Sequence, residues 1–235
     1  MSHYAGVSNV SRKSILYTIV LLAALALGVA SYLVYTNSSS NTVASVDNGS
    51  LKMGITAADH TLGNPTAPLK VVEYGAPSCP VCAHWNEANF PQFKAQYIDT
   101  GKVFFVFRIF PLRSLDLAVA AMAHCLPRDA YFSFIHMMWR NQSMWDPDGH
   151  DIADPHAALL HMGVIAGMTP QQTQACISNQ QQLQKASVIG EHAQKAYGIN
   201  ATPTFIVNGQ LEPDMGTWQS IQDTLNQLLK AQARH

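Results

Sequence analysis

The chain has 235 residues, 48% hydrophobic and only 12% charged, with a formal net charge of −1. The near-neutral balance excludes a basic nucleic-acid footprint, and the apolar content excludes charge-driven disorder. Four cysteines, at 79, 82, 125 and 176, are too few for a small disulfide-dense scaffold.

No charged residue lies between Lys13 and Asp47, and inside that gap Ile15 to Tyr35 is one apolar run. As a helix it is about 31 Å long, enough to cross a hydrocarbon core of ~30 Å. Arg12 and Lys13 stand just before it, so the positive-inside bias predicts a cytoplasmic tail at 1–14 and a signal anchor at 15–35. Everything beyond is then exported, into the periplasm or outside the cell, held to the inner membrane by a single pass. A cleaved signal peptide cut near Gly28, Ala30 and Ser31 competes with this reading. The run is longer than the ~7–15 apolar residues such a peptide uses, which favours the anchor. Residues 36–56 are Ser/Asn-rich and aperiodic, and read as a flexible tether.

The remaining segment, 57–235, reads as one domain with no internal repeat. Leu69 to Tyr74 is an apolar strand that runs into the turn Gly75-Ala76-Pro77-Ser78. Cys79-Pro80-Val81-Cys82 opens a helical stretch to about Ile98, which Pro91 should kink. Lys102 to Arg108 is a second buried strand. Helical patterns then fill about 114–197: Asp116 to His124, Tyr131 to Arg140, Pro155 to Ile165 behind the N-cap Asp154, a start at Thr169-Pro170, and Gln182 to Tyr197 ending at Gly198. Thr204 to Val207, the hairpin turn Asn208-Gly209 and a last amphipathic helix over Thr217 to Leu229 complete the chain.

A C-x-x-C between a strand and a helix has a physical consequence. Cys79 sits at the helix N-terminus, where free amide N–H groups and the dipole favour an anion and lower the thiol pKa. Pro80 fits the first turn because its missing N–H is not needed there. Cys82, one turn on, is placed to attack a mixed disulfide formed at Cys79. Half of a zinc site is the other reading of such a pair, but Cys125 and Cys176 form no second knuckle and no H-E-x-x-H occurs. Redox chemistry is favoured, with no metal.

Four stretches together resemble the DsbA family of the thioredoxin superfamily, in its membrane-tethered BdbD-like branch. They are Asp59 to Pro68, Glu73 to Cys82, Tyr97 to Arg108 with Phe110-Pro111-Leu112, and Gly198 to Phe205. The likeness covers about Asp59 to Leu229. It implies an α/β thioredoxin fold interrupted by an all-helical insertion. It also implies a cis bond at Thr202-Pro203, which presents Thr202 to substrate beside Cys79. The likeness also implies that Glu73 is a buried acid that can relay protons or raise the thiol pKa by like charge; a half-exposed strand residue is the alternative. Cys125 and Cys176, one in each of two insertion helices, would form a structural disulfide; two buried free thiols are the alternative.

The chain departs from the strongest oxidants of the family between the cysteines. Pro80-Val81 offers no charge and no side-chain donor to the thiolate, so a less oxidising potential is expected. His84 is the nearest compensating group, although an exposed helix histidine is usually just solvated. Asp146-Pro147-Asp148-Gly149 reads as a turn, not a calcium loop. Phe134, Met137, Met138 and Trp139 read as core rather than as a substrate groove.

The expected function is that of a membrane-tethered thiol:disulfide oxidoreductase. It would pass the Cys79–Cys82 disulfide, needing no other cofactor, to exported proteins that are folding with free cysteines. A membrane quinone-linked partner would reoxidise it. An isomerase or reductase of the same fold is one alternative, but no segment is spare for a dimerisation module and a monomer is expected. The other alternative is a non-enzymatic metal- or peptide-binding module built on the C-x-x-C pair.

Overall fold

The computed structural model of the chain describes residues 53–234. The apolar run at 15–35 and most of the tether lie outside these residues. Among the described residues no helix is long and apolar enough to cross a membrane.

A five-stranded sheet organises the domain, in the order β1-β3-β2-β4-β5. The strands are β1 (His60–Leu62), β2 (Leu69–Gly75), β3 (Val103–Ile109), β4 (Thr204–Val207) and β5 (Gln210–Glu212). β2 and β3 run parallel, with Val71 opposite Phe105, and every residue of both is buried. Their β-branched and aromatic composition suits a strand covered on two faces. β4 adds antiparallel to β2, β5 to β4, and β1 to the far side of β3. β1 was legible only as part of a family-like lead-in, because three residues carry no measurable periodicity. Arg108 secures that lead-in: its guanidinium pairs with Asp59 at 2.8 Å and donates to the Met53 and Gly54 carbonyls.

Alternation along the strands separates two cores. Leu69, Val71, Phe105, Phe107, Phe205 and Val207 face one cluster, while Val72, Tyr74, Phe104, Val106 and Ile206 face the other. Position 73 falls on the first face. That face is covered by α1 (Pro80–Ala88), α2 (Phe90–Phe93), the helical insertion, and the C-terminal helix α9 (Trp218–Gln232).

The kink expected at Pro91 appears as a break. α1 stops at Ala88, Asn89 intervenes, and α2 restarts with proline in its first turn before a π-helical turn over Lys94–Ile98. Proline has no N–H for the preceding turn and fits only where a helix begins.

The insertion comprises α3 (Ser114–Cys125), α4 (Tyr131–Arg140), the one-turn α5 (Gln142–Trp145), α6 (Pro155–Ile165) and α7 (Pro170–Ile177). Gly163 allows α6 and α7 to touch, since a Cβ there would collide with Thr173. α8 (Gln180–Tyr197) differs from these. Ile189, Ala193 and Tyr197 belong to the second cluster, so this helix covers the opposite face of the sheet and serves the thioredoxin unit itself. Phe134, Met138 and Trp139 are buried in the first cluster, with Met137 partly buried, as a core assignment requires.

Candidate active site

Cys79 is the N-cap of α1, with φ −83° and ψ 115°, and Pro80 is in the first turn. The Cys79 sulfur accepts from the Cys82 N–H at 3.2 Å, which satisfies one of the orphan donors at the helix start. Its thiol lies 3.4 Å from the Thr202 carbonyl oxygen. Both cysteines are free thiols; Cys79 is 5% exposed and Cys82 fully buried. Only the first can meet another molecule.

Their environments push the two thiols apart. The neighbouring Cys82 thiol, opposed by burial and joined by the proximity of Thr202 and the N–H groups of Cys82 and Val81, holds the Cys79 thiol down to about 6. Burial, then the neighbouring Cys79 and Glu73, push Cys82 upward. A ready thiolate beside a thiol that keeps its proton is the split that directional exchange needs.

The Thr202–Pro203 bond is cis, and both residues are partly buried beside Cys79. Glu73 is buried on the strand face below the cysteines, and its Oε1 has no hydrogen-bond partner among the described residues. Burial first, then the charge of Cys79, raises its carboxyl to about 8. A carboxylic acid held neutral beside two titrating thiols can store a proton. The remaining tuning candidates are external: Pro80 and His84 are exposed, Val81 is 60% exposed, and no hydrogen bond joins His84 to either sulfur. Cys125 and Cys176 stand apart from this group and are joined in a disulfide with a Cα–Cα distance of 6.2 Å, linking the ends of α3 and α7.

Five further residues form a support for the loop before Cys79 that the sequence did not suggest. The Trp139 indole N–H donates to the Ala76 carbonyl at 3.0 Å, and the Gln142 amide to the Pro77 carbonyl at 2.8 Å. Arg113 donates to the Ser78 carbonyl, and the Ser78 N–H and hydroxyl both donate to Asp116. Arg113 is itself paired with Asp146 and Asp148, each at 3.0 Å, so the acidic turn serves an arginine. Ser78 had one signal, its position next to Cys79. The others lie 35 or more residues away and carry none.

A family model described as Thioredoxin matches residues 56–227. A Rickettsia bellii protein named as a protein-disulfide oxidoreductase is 31% identical over 153 residues, which are 64% of this chain and 57% of that one. The chain thus spans little more than half the length of this relative. A Bacillus cereus protein named disulfide bond formation protein D is 27% identical, over 71% of this chain and 78% of its own. Among solved structures, Wolbachia pipientis α-DsbA1 superposes with a TM-score of 0.68 at 24% identity, covering 76% of this chain and 94% of that one. Oxidised BdbD from Bacillus subtilis gives 0.59 at 22%, over 73% and 93%. With its C-x-x-C at a helix start, its cis-proline loop and its helical insertion, the chain belongs to the thioredoxin family and has the fold of the DsbA structures.

Proposed function

We propose that the protein is an exported thiol:disulfide oxidoreductase that introduces disulfides into folding proteins. The observation that carries this reading is the unequal pair: a nearly buried N-cap sulfur with a lowered pKa, one turn from a buried sulfur with a raised one. A substrate thiolate attacks the Cys79 sulfur of the oxidised pair. The Cys79–Cys82 bond breaks, and Cys82 leaves and takes up a proton. A second substrate thiolate then attacks the substrate sulfur of the mixed disulfide, and Cys79 leaves as a thiolate. Two electrons pass to the pair. The low pKa of Cys79 makes it the better leaving group in the second step, and Glu73, whose burial raises its pKa, would exchange the proton of Cys82. The Thr202 carbonyl, beside the reactive sulfur, is where an extended substrate chain would align.

The potential is expected to be milder than that of the strongest oxidants. The supporting feature is that the groups that lower the Cys79 thiol, Cys82 foremost and then Thr202 and backbone N–H groups, include no cation. We further propose that residues 15–35 tether the domain to the inner membrane with residues 57–235 outside the cytoplasm, where a membrane quinone-linked partner reoxidises the pair. The length and lack of charge of that run support this.

An equilibrium titration of Cys79–Cys82 against glutathione tests the direction of exchange. A donor of disulfides will stay largely reduced at ratios that oxidise ordinary thiols. A pair that stays oxidised there would assign it to reduction. A Cys82→Ala variant should accumulate mixed disulfides with exported proteins, and recovery of stoichiometric metal in place of such adducts would overturn the enzyme reading.

A further inference from the structure

Each of the three residues before Cys79 is held by the helical insertion. Trp139 takes the Ala76 carbonyl, Gln142 the Pro77 carbonyl and Arg113 the Ser78 carbonyl. Asp116 then takes both donors of Ser78, the N–H at 2.8 Å and the hydroxyl at 2.9 Å. Ser78 is 1% exposed and Asp116 fully buried, so water cannot replace these bonds.

Asp116 is matched to this place by being acceptor-only. Its Oδ1 takes the Ser78 N–H, while its Oδ2 takes the Ser78 hydroxyl and the N–H groups of Leu112 and Arg113. An asparagine would set an NH2 group against one of those backbone donors. One carboxylate therefore closes the start of α3 and fixes the residue that precedes the reactive sulfur.

We propose that Asp116 is a positioning residue for Cys79, holding the Ala76–Ser78 loop so that the sulfur stays at the N-cap of α1. This rests on reading Cys79 as the exchanging sulfur. The hydrogen bonds that stabilise its thiolate are directional, and a loop free to shift would lengthen them. Arg113, itself held by Asp146 and Asp148, is the second arm of the same clamp. The insertion thereby sets the reactivity of the thioredoxin unit it interrupts.

A merely structural Asp116 would lower stability and leave the Cys79 thiol unchanged, so the decisive readout is ionisation. The ultraviolet absorbance of the Cys79 thiolate is followed against pH in the reduced full-length protein, alongside the glutathione equilibrium. Asp116→Asn should raise the midpoint by about one pH unit. Near pH 7 this reduces thiolate stabilisation about five-fold and moves the equilibrium by that factor toward the Cys79–Cys82 disulfide. Ser78→Ala, which keeps the N–H bond, should shift both in the same direction by less. Leu225→Ala, a core truncation outside the insertion, should shift neither. A folded Asp116→Asn protein with an unchanged midpoint overturns the proposal; if that variant does not fold, an unchanged midpoint in Ser78→Ala does so. Should no protein, wild type included, exchange with glutathione, the proposed activity fails, while the midpoints still decide the clamp.

Discussion

The chain uses its four cysteines in two pairs whose settings are opposite. Cys79 stands at the start of a helix, where amide N–H groups converge on its sulfur and an anion is favoured. Cys125 is the last residue of α3, and Cys176 lies in the last turn of α7, where the dipole disfavours a thiolate. The first pair is three residues apart and exists as two unequal thiols; the second spans 51 residues and is closed. Position along a helix separates a sulfur whose thiolate is favoured from sulfurs whose thiolates are not.

The contrast is broken most severely at Cys79. Cys79→Ser should abolish exchange with a dithiol peptide while leaving the Cys125–Cys176 bridge intact by thiol counting. Cys176→Ala should do the reverse. Removing a loop closure of this size lowers stability by about 2–4 kcal/mol, read as a lower Tm, with exchange retained; loss of exchange at unchanged Tm would refute the division.

Glu73 sharpens the comparison through pH. Its folded pKa, about 8, lies above its ordinary 4.5, so the folded state keeps a proton that the unfolded state releases. Stability therefore falls as pH rises across that window. Glu73→Gln should flatten the fall and stabilise the reduced protein by about 1–3 kcal/mol at pH 8, measured by urea unfolding. Cys79 has the opposite sign. Its pKa is depressed to about 6 from 9.0, so its contribution to the reduced protein grows as pH rises through that interval and is lost below it. A Cys79→Ser reference should show a correspondingly smaller gain between those limits.

The smallest effects belong to the exposed residues. Val81→His places a cation-forming ring beside the sulfur and should lower the Cys79 midpoint by about one unit. His84→Ala should change stability by less than about 0.5 kcal/mol and leave the midpoint in place. A clear shift on removing His84 would restore the tuning role that its exposure argues against.

Much of the fold was legible because the signals are local. The apolar runs of β2 and β3, the caps Asp154 and Thr169, the stop at Gly198 and the Asn208-Gly209 turn each act within a few residues of themselves. The reactive pair was legible for the same reason, since C-x-x-C, strand and helix start adjoin in the chain. β1 was legible only within the family-like lead-in, and α5 not at all, because three or four residues are too few for a period to register. α8 read as one more helix of the insertion, for its sequence says that it is helical but not which face of the sheet it covers.

The sequence by itself thus carried the expectation of thiol–disulfide chemistry and determined the main elements and the place of Cys79 at a helix start, all of which follow from neighbours in the chain. Tertiary structure alone decided how that sulfur is surrounded. It brought Thr202 to Cys79, buried Glu73 beneath the pair, closed Cys125 on Cys176, and set Asp116 and Arg113 against Ser78. Apart from Glu73, which lies close to the pair in the chain, these contacts join residues 35 to 123 positions apart. A hydrogen bond or a desolvated carboxyl depends on what meets in space, and no local pattern encodes such a meeting.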